Sequence, residues 1–259
     1  MYKHCINMEL VKNVVSWGNS AGISVPREWI GSQVKVVIID RTLEIKKEVF
    51  NILEPYLEDI LGIYLTGSYA RGEQDSESDI DIIAISKQTK KEIISGKYHI
   101  SITPLDSVRK IIEKNPILIL PRLIEAKPIV NKSLLEELKT IKVSKRDFRD
   151  FIGECNGIIK INKDFINLEE TNSAPSSVIY SLILRLRGLF LIKCILRDSK
   201  YSKKDFLKYL GKSIGRDVER VYSIYRNERD EKKVKEKAGL ETTKKLLNLL
   251  EMEVNRFGK

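Results

Sequence analysis

Gly67-Ser68-Tyr69-Ala70-Arg71-Gly72 leads, ten residues on from Ser68, into Ser78-Asp79-Ile80-Asp81. The apolar run Leu61–Thr66 reads as a short strand that ends at Gly67-Ser68, and Ile80–Ile85 reads as a second strand, almost wholly apolar and therefore buried. Gly67 lacks a Cβ, which lets a phosphate approach the backbone. Ser68 offers a hydroxyl to a terminal phosphate, and the first turn of the following helix presents unpaired N–H groups to an anion. Arg71 either adds positive charge for that anion or braces the loop. Residues i and i+2 of a strand share a face, so Asp79 and Asp81 project together while Ile80 points into the core. Two carboxylates on one face pack badly unless a cation lies between them. Mg2+ or Mn2+ meets that need, because such ions take oxygen ligands and are completed by phosphates.

This pattern resembles the signature of DNA polymerase β-type nucleotidyltransferases, especially the minimal nucleotidyltransferases of archaea and bacteria. It is also found in CCA-adding enzymes and aminoglycoside nucleotidyltransferases. The surrounding elements extend the resemblance to about residues 48–140. It implies that Gly67, Ser68 and Arg71 bind the nucleotide, that Asp79 and Asp81 are catalytic and hold the metal, and that an NTP is the substrate. Members of the family usually carry a third carboxylate on the next strand, where it helps to activate the attacking hydroxyl. Here that strand is Lys97–Thr103, with His99 or Ser101 at the place of the acid. Asp106 is the nearest carboxylate downstream and a candidate third catalytic residue, although it also suits a helix start or cap. His99 is a candidate base.

The N-terminal stretch alternates short strands and turns. Gly18-Asn19-Ser20 turns the chain, Ile23-Ser24-Val25 stops at Pro26, and Glu28-Trp29-Ile30 forms one helical turn. Val34–Ile39 reads as a strand, and Asp40-Arg41 turns it into Leu43-Glu44-Ile45. The run from Val14 to Pro26, with its Gly18-Asn19-Ser20, Gly22 and Pro26, is similar to the SpoVT/AbrB and MazE swapped-hairpin DNA-binding modules. A module this small does not bury its own core. The resemblance implies two interleaved copies, hence a homodimer, with Lys12, Arg27, Lys35 and Arg41 contacting DNA phosphates or bases.

From Ser144 onward the apolar period is helical, and Pro175-Ser176-Ser177 opens a long helix that carries Arg185 and Arg187. This part looks like the helical substrate or partner domain that often follows such cores. The two arginines either face a nucleotide cleft or snorkel from a packed surface. A HEPN ribonuclease needs an Arg with a His several residues later, but the histidines are His4 and His99, which excludes that site.

The formal net charge of +10 favours polyanionic partners, nucleic acid or nucleotides. Cys5, Cys155 and Cys194 lie too far apart in sequence for a zinc or disulfide framework. Arg185, Arg187 and Lys193 interrupt the apolar run Val178–Leu196, so it reads as a buried bundle helix, with no membrane contact and a cytoplasmic location. The expected fold is α+β multidomain. A small β swapped-hairpin module occupies 1–47, a mixed α/β nucleotidyltransferase core 48–142 and a C-terminal helical bundle 143–259. The expected reaction is Mg2+-dependent transfer of NMP from an NTP to an acceptor hydroxyl on a protein, a tRNA or a small molecule. A toxin–antitoxin role follows by family analogy alone. The alternative is a non-catalytic DNA-binding regulator whose core senses a nucleotide.

Overall fold

The computed structural model describes residues 10, 12, 14–36, 42–75, 78–168, 172–234 and 236–258. The chain divides into two compact units, Met1–Ile45 and Lys46–Lys259.

In the first unit, β1 (Val15–Trp17) and β2 (Ser20–Gly22) form an antiparallel hairpin with Val15 opposite Gly22. Gly18 starts the two-residue turn at φ 58°, a left-handed conformation that glycine adopts without strain. A 3-10 turn at Arg27–Trp29 follows Pro26. None of the described side chains from residue 14 to residue 36 is buried, and Trp17 is 70% exposed. Two expectations change here. Among the described residues, Val34–Val36 joins no ladder, because β-branched residues favour extended backbone but a strand still needs a partner. The rest of that run, with Asp40 and Arg41, lies outside the described residues. Leu43-Glu44-Ile45, read as a strand, belongs instead to helix α1 (Thr42–Leu53). Ile45, Val49 and Leu53 recur every four residues and are all buried, so the helical period outweighs a three-residue alternation. The helix expected over Val49–Ile60 therefore starts and ends earlier, and a 3-10 turn at Glu54–Tyr56 follows it.

In the second unit the chain runs through β3 (Ile60–Thr66), α2 (Gly67–Arg71), β4 (Ile80–Ser86), β5 (Lys91–Ser95) and β6 (Tyr98–Pro104). It continues through α3 (Leu105–Lys114), α4 (Leu120–Glu125), β7 (Lys127–Val130) and α5 (Lys132–Lys139). Among the described residues, five strands form one mixed sheet in the order β5-β6-β4-β3-β7, with β4 and β6 parallel and the other pairs antiparallel. Strand β4 is central and buried from Ile82 to Ser86, as its apolar run requires. Tyr64, Ile83 and Ile85 on one face pack with Val108, Ile112, Leu123, Leu135 and Leu138 from the three following helices.

The helical part comprises α6 (Arg149–Leu168), α7 (Ser176–Leu196), α8 (Lys203–Ile214), α9 (Val218–Arg229) and α10 (Leu240–Gly258). A two-residue ladder, β8 (Ser173–Ala174) with β9 (Ala238–Gly239), ties the segment before α7 to the start of α10. Helix α7 is central and buries Val178, Ile179, Leu182, Ile183, Leu186, Leu189 and Ile192. Val143 packs against both the sheet cluster and the helical cluster, which belong to one compact unit. Among the described residues no helix is long and apolar enough to cross a membrane.

Candidate nucleotide and metal site

The antiparallel register of β3 and β4 sets Thr66 opposite Asp81, and the Thr66 hydroxyl donates to the Asp81 carbonyl at 3.3 Å. Gly67 follows at φ 70°. A Cβ on Gly67 would overlap Asp81 Oδ2 and lie 3.0 Å from its Cγ. The Asp81 carboxylate thus occupies the space that a side chain on Gly67 would fill. Asp79 stands exposed just before β4. The Ser78 hydroxyl beside it donates to Asp75 Oδ1 at 3.0 Å and accepts the Asp75 N–H at 2.9 Å. Ser68 is half-buried in the first turn of α2.

Arg71, read as a nucleotide contact or a brace, is committed to two acids. Its Nη1 donates to Glu125 Oε2 at 2.6 Å and its Nε to Glu73 Oε2 at 2.7 Å. Burial opposes the charge, but Glu125 and Glu73 outweigh it and hold the guanidinium pKa above its ordinary value. Glu125 Oε1 also accepts the Gly67 N–H at 2.8 Å. One carboxylate at the end of α4 therefore holds both ends of α2. Glu125 had no local signature in sequence, since it meets its partners across more than fifty residues.

The strand beside β4 carries no acid at the expected place. His99 lies in register with Asp81, with Nδ1 4.0 Å from Asp81 Oδ1. Its Nε2 is 3.4 Å from Glu92 Oε2, on β5, and Glu92 pairs with Ser101. Ser101 Oγ lies 3.5 Å from Thr103 Oγ1. Asp106 does not join the pair. It sits exposed in the first turn of α3, beyond the far end of β6, and five strand residues separate His99 from that end by about 16 Å. It is not a cap either, because Pro104 holds that position.

The loop after α2 is fastened to the helices. Glu73 Oε1 accepts the Lys203 N–H at the start of α8 at 2.8 Å, and Arg226 of α9 donates to Asp75 Oδ2 at 3.1 Å. The Tyr201 ring is contacted by two guanidinium groups, Arg71 at 5.4 Å and Arg187 at 5.3 Å from its centroid. Arg187, on α7, is thus brought beside the motif loop, whereas Arg185 is half-buried on the same helix.

Residues 46–170 match the family model described as "Nucleotidyltransferase domain". A putative protein adenylyltransferase of Methanocaldococcus jannaschii is 38% identical over 79 residues, which span 26% of this chain and 77% of that protein. The chain belongs to the nucleotidyltransferase domain family. Residues 6–42 of this family member match a separate model, "Putative transposon-encoded protein (DUF2080)", rather than a SpoVT/AbrB model. Among solved structures, a spectinomycin adenyltransferase from Enterococcus faecialis with ATP and spectinomycin is 15% identical, with a TM-score of 0.43 over 85% of this chain and all of that one. A nucleotidyltransferase-like protein from Exiguobacterium sibiricum is 12% identical, with a TM-score of 0.36 over 82% of this chain and 75% of that one.

Among the described residues of this nucleotidyltransferase-family chain, no group of three or more His, Cys, Asp or Glu side chains is placed to hold a metal ion. Asp79 and Asp81 offer hard oxygen donors, and the Asp81 carboxylate is turned toward the bare Cα of Gly67. Two carboxylates suit Mg2+ or Mn2+, whose other positions water and phosphate oxygens fill. Lys12, Arg27 and Lys35 of the first unit are exposed, and Arg41 lies outside the described residues.

Proposed function

We propose that the chain transfers NMP from an NTP to an acceptor hydroxyl, with Asp79 and Asp81 holding Mg2+ or Mn2+. The observation that carries this reading is the meeting of the β3 and β4 ends, where Asp81 lies against Gly67 and Ser68 follows at once. The likeness to a putative protein adenylyltransferase supports ATP as the donor and a protein hydroxyl as the acceptor. A bound divalent ion would polarise the α-phosphate and neutralise charge on the leaving group. The acceptor oxygen forms a bond to the α-phosphorus, the bond to the β-phosphate oxygen breaks, and pyrophosphate leaves. Ser68 holds a terminal phosphate by its hydroxyl. Glu125 and Arg71 keep α2 in place, and His99 beside Asp81 takes the hydroxyl proton.

The first unit supports a companion role. Leu10, Val14, Val15, Trp17, Val25, Ile30, Val34 and Val36 are all exposed, which is more apolar surface than an isolated small unit keeps in water. On this reading residues 1–47 are a SpoVT/AbrB-like module that pairs with a second copy and binds DNA through Lys12, Arg27, Lys35 and Arg41. The second reading is a DNA-binding regulator with a nucleotide-sensing core, and the serine at position 101 favours it.

The test is transfer of label from α-phosphorus-labelled ATP, with Mg2+ or Mn2+, onto the protein itself and onto lysate proteins and RNA. The expected result is metal-dependent labelling by the native chain and none by Asp79→Asn or Asp81→Asn. ATP binding without transfer to any acceptor would favour the regulator.

A further inference from the structure

Helix α8 turns two free lysines toward solvent. Lys204 and Lys208 stand one turn apart on the same face, both are exposed, and among the described residues neither pairs with an acid. Their neighbour Lys203 is engaged elsewhere, with Nζ 5.2 Å from the Tyr222 ring centroid. The two free lysines border an open cavity of about 500 Å3 that Leu207, Gly211, Val218 and Glu219 also line. Leu207 and Val218 are half-buried and pack against the edge of the helical core. Gly211 follows Leu207 by one turn, and a Cβ there would meet nothing within 4 Å, so the helix surface is lowered at that point. The cavity is thus a groove in which an apolar strip runs beside unpaired cations. Glu73, in the loop after α2, lines it too and is tied to α8, since its Oε1 accepts the Lys203 N–H at 2.8 Å. From Lys203 to Gly211 the helix advances about 12 Å, so the groove leads away from the motif loop.

We propose that this groove docks an acidic, amphipathic helix of the protein acceptor. That the helix belongs to the acceptor rests on the transferase reading; the chemistry of the occupant rests on the groove. Acidic side chains on one flank of such a helix meet Lys204 and Lys208, and its apolar stripe covers Leu207 and Val218. Leu207 and Gly211 are spaced by one helical turn, a ridge and a gap that accept a second helix. An extended strand finds nothing to pair with, because the backbone groups of α8 are spent within the helix. RNA fits the groove less well. Among the described residues that line it, no aromatic ring offers a base a stacking face, the exposed Glu219 opposes a phosphate chain, and the apolar strip would stay wet.

The experiment follows fluorescence anisotropy of a fluorescein-labelled peptide of about fifteen residues on the full chain. The peptide carries leucines at i, i+3, i+4 and i+7 and glutamates on the opposite face. A scrambled peptide of the same composition, a single-stranded RNA and sodium tripolyphosphate serve as competitors. The native chain should bind the amphipathic peptide saturably and more tightly than the scrambled one, and added salt should weaken binding. The double variant Lys204→Glu/Lys208→Glu, at two exposed positions, should bind it about tenfold more weakly or worse. Gly211→Leu fills the groove and should weaken binding by a similar factor. Its melting temperature should not fall, since leucine replaces a glycine inside a helix with open space before it. No saturable binding to the native chain, or native affinity in both variants, overturns the proposal. So does displacement of the peptide by RNA or tripolyphosphate with equal or higher affinity, which would make the groove a polyanion site. Peptide binding with the expected losses, but no label transfer from ATP by the native chain, would uphold the groove and sink the transferase reading. Metal-dependent transfer to protein by native chain and variants alike, without peptide binding, would do the reverse.

Discussion

Replacing Gly67 by alanine adds one methyl group at the point where the chain leaves β3. Two costs follow from the structure. The backbone stands at φ 70°, which costs an L-residue about 1–2 kcal/mol. The new Cβ would also overlap Asp81 Oδ2, and overpacking of this kind costs about 1–3 kcal/mol. Lower entropy of the unfolded chain returns about 0.4–1 kcal/mol. The net loss is then about 1–5 kcal/mol, or roughly 2–20 °C in melting temperature for a unit of this size. Asp81 is 35% exposed and can relieve the overlap by turning outward, so part of the effect should move from stability to metal affinity. Gly72→Ala supplies the control. Gly72 stands at φ 73° with nothing within 4 Å of its Cβ, so it incurs the backbone cost alone. The assay is thermal unfolding of both variants beside Mn2+ titration by electron paramagnetic resonance. Gly67→Ala should melt lower than Gly72→Ala and bind Mn2+ more weakly. Equal melting points together with native Mn2+ affinity in Gly67→Ala would refute the claim that the bare Cα makes room for the carboxylate.

Glu125→Gln keeps an oxygen for the Gly67 N–H but removes the charge that faces Arg71. Chemical denaturation should show a loss of about 1–3 kcal/mol, larger than for Glu137→Gln, whose ion pair with Arg109 is exposed. Asp59 gives a pH effect of known sign. The Thr89 side chain and N–H, with the Gln88 N–H and Lys87, hold its carboxyl below the ordinary 3.8. A depressed carboxyl stabilises the fold above its unfolded pKa, and that contribution fades as pH falls through the lower folded value. Denaturation midpoints measured below about pH 4 should therefore fall less steeply with acid in Asp59→Asn than in the native chain. Parallel curves would show that the Thr89 contact does not act on this titration.

The core was legible where a residue's neighbours in sequence settle its environment. Ile82–Ile85 is buried on both faces, so its composition alone identifies a central strand, and the Gly67-Ser68 ending of β3 marks the turn that β4 answers. The edge strands were not legible. Lys91-Glu92-Ile93-Ile94-Ser95 is exposed at four of its five positions, and β7 contains Pro128, which an edge tolerates and a central strand does not. Neither has the apolar pattern by which a strand is read. The same limit applies to charge. Asp79 and Asp81 declare themselves by spacing, whereas Glu125 and Glu92 reach the site only because α4 and β5 return to it. Glu92 meets His99 across the β5–β6 ladder, and His99 meets Asp81 across the β6–β4 ladder, so one imidazole lies between two carboxylates from different strands. The strand next to β4 carries no acid facing Asp81, and the nearest further carboxylate in this direction, Glu92, lies one strand further out beyond His99.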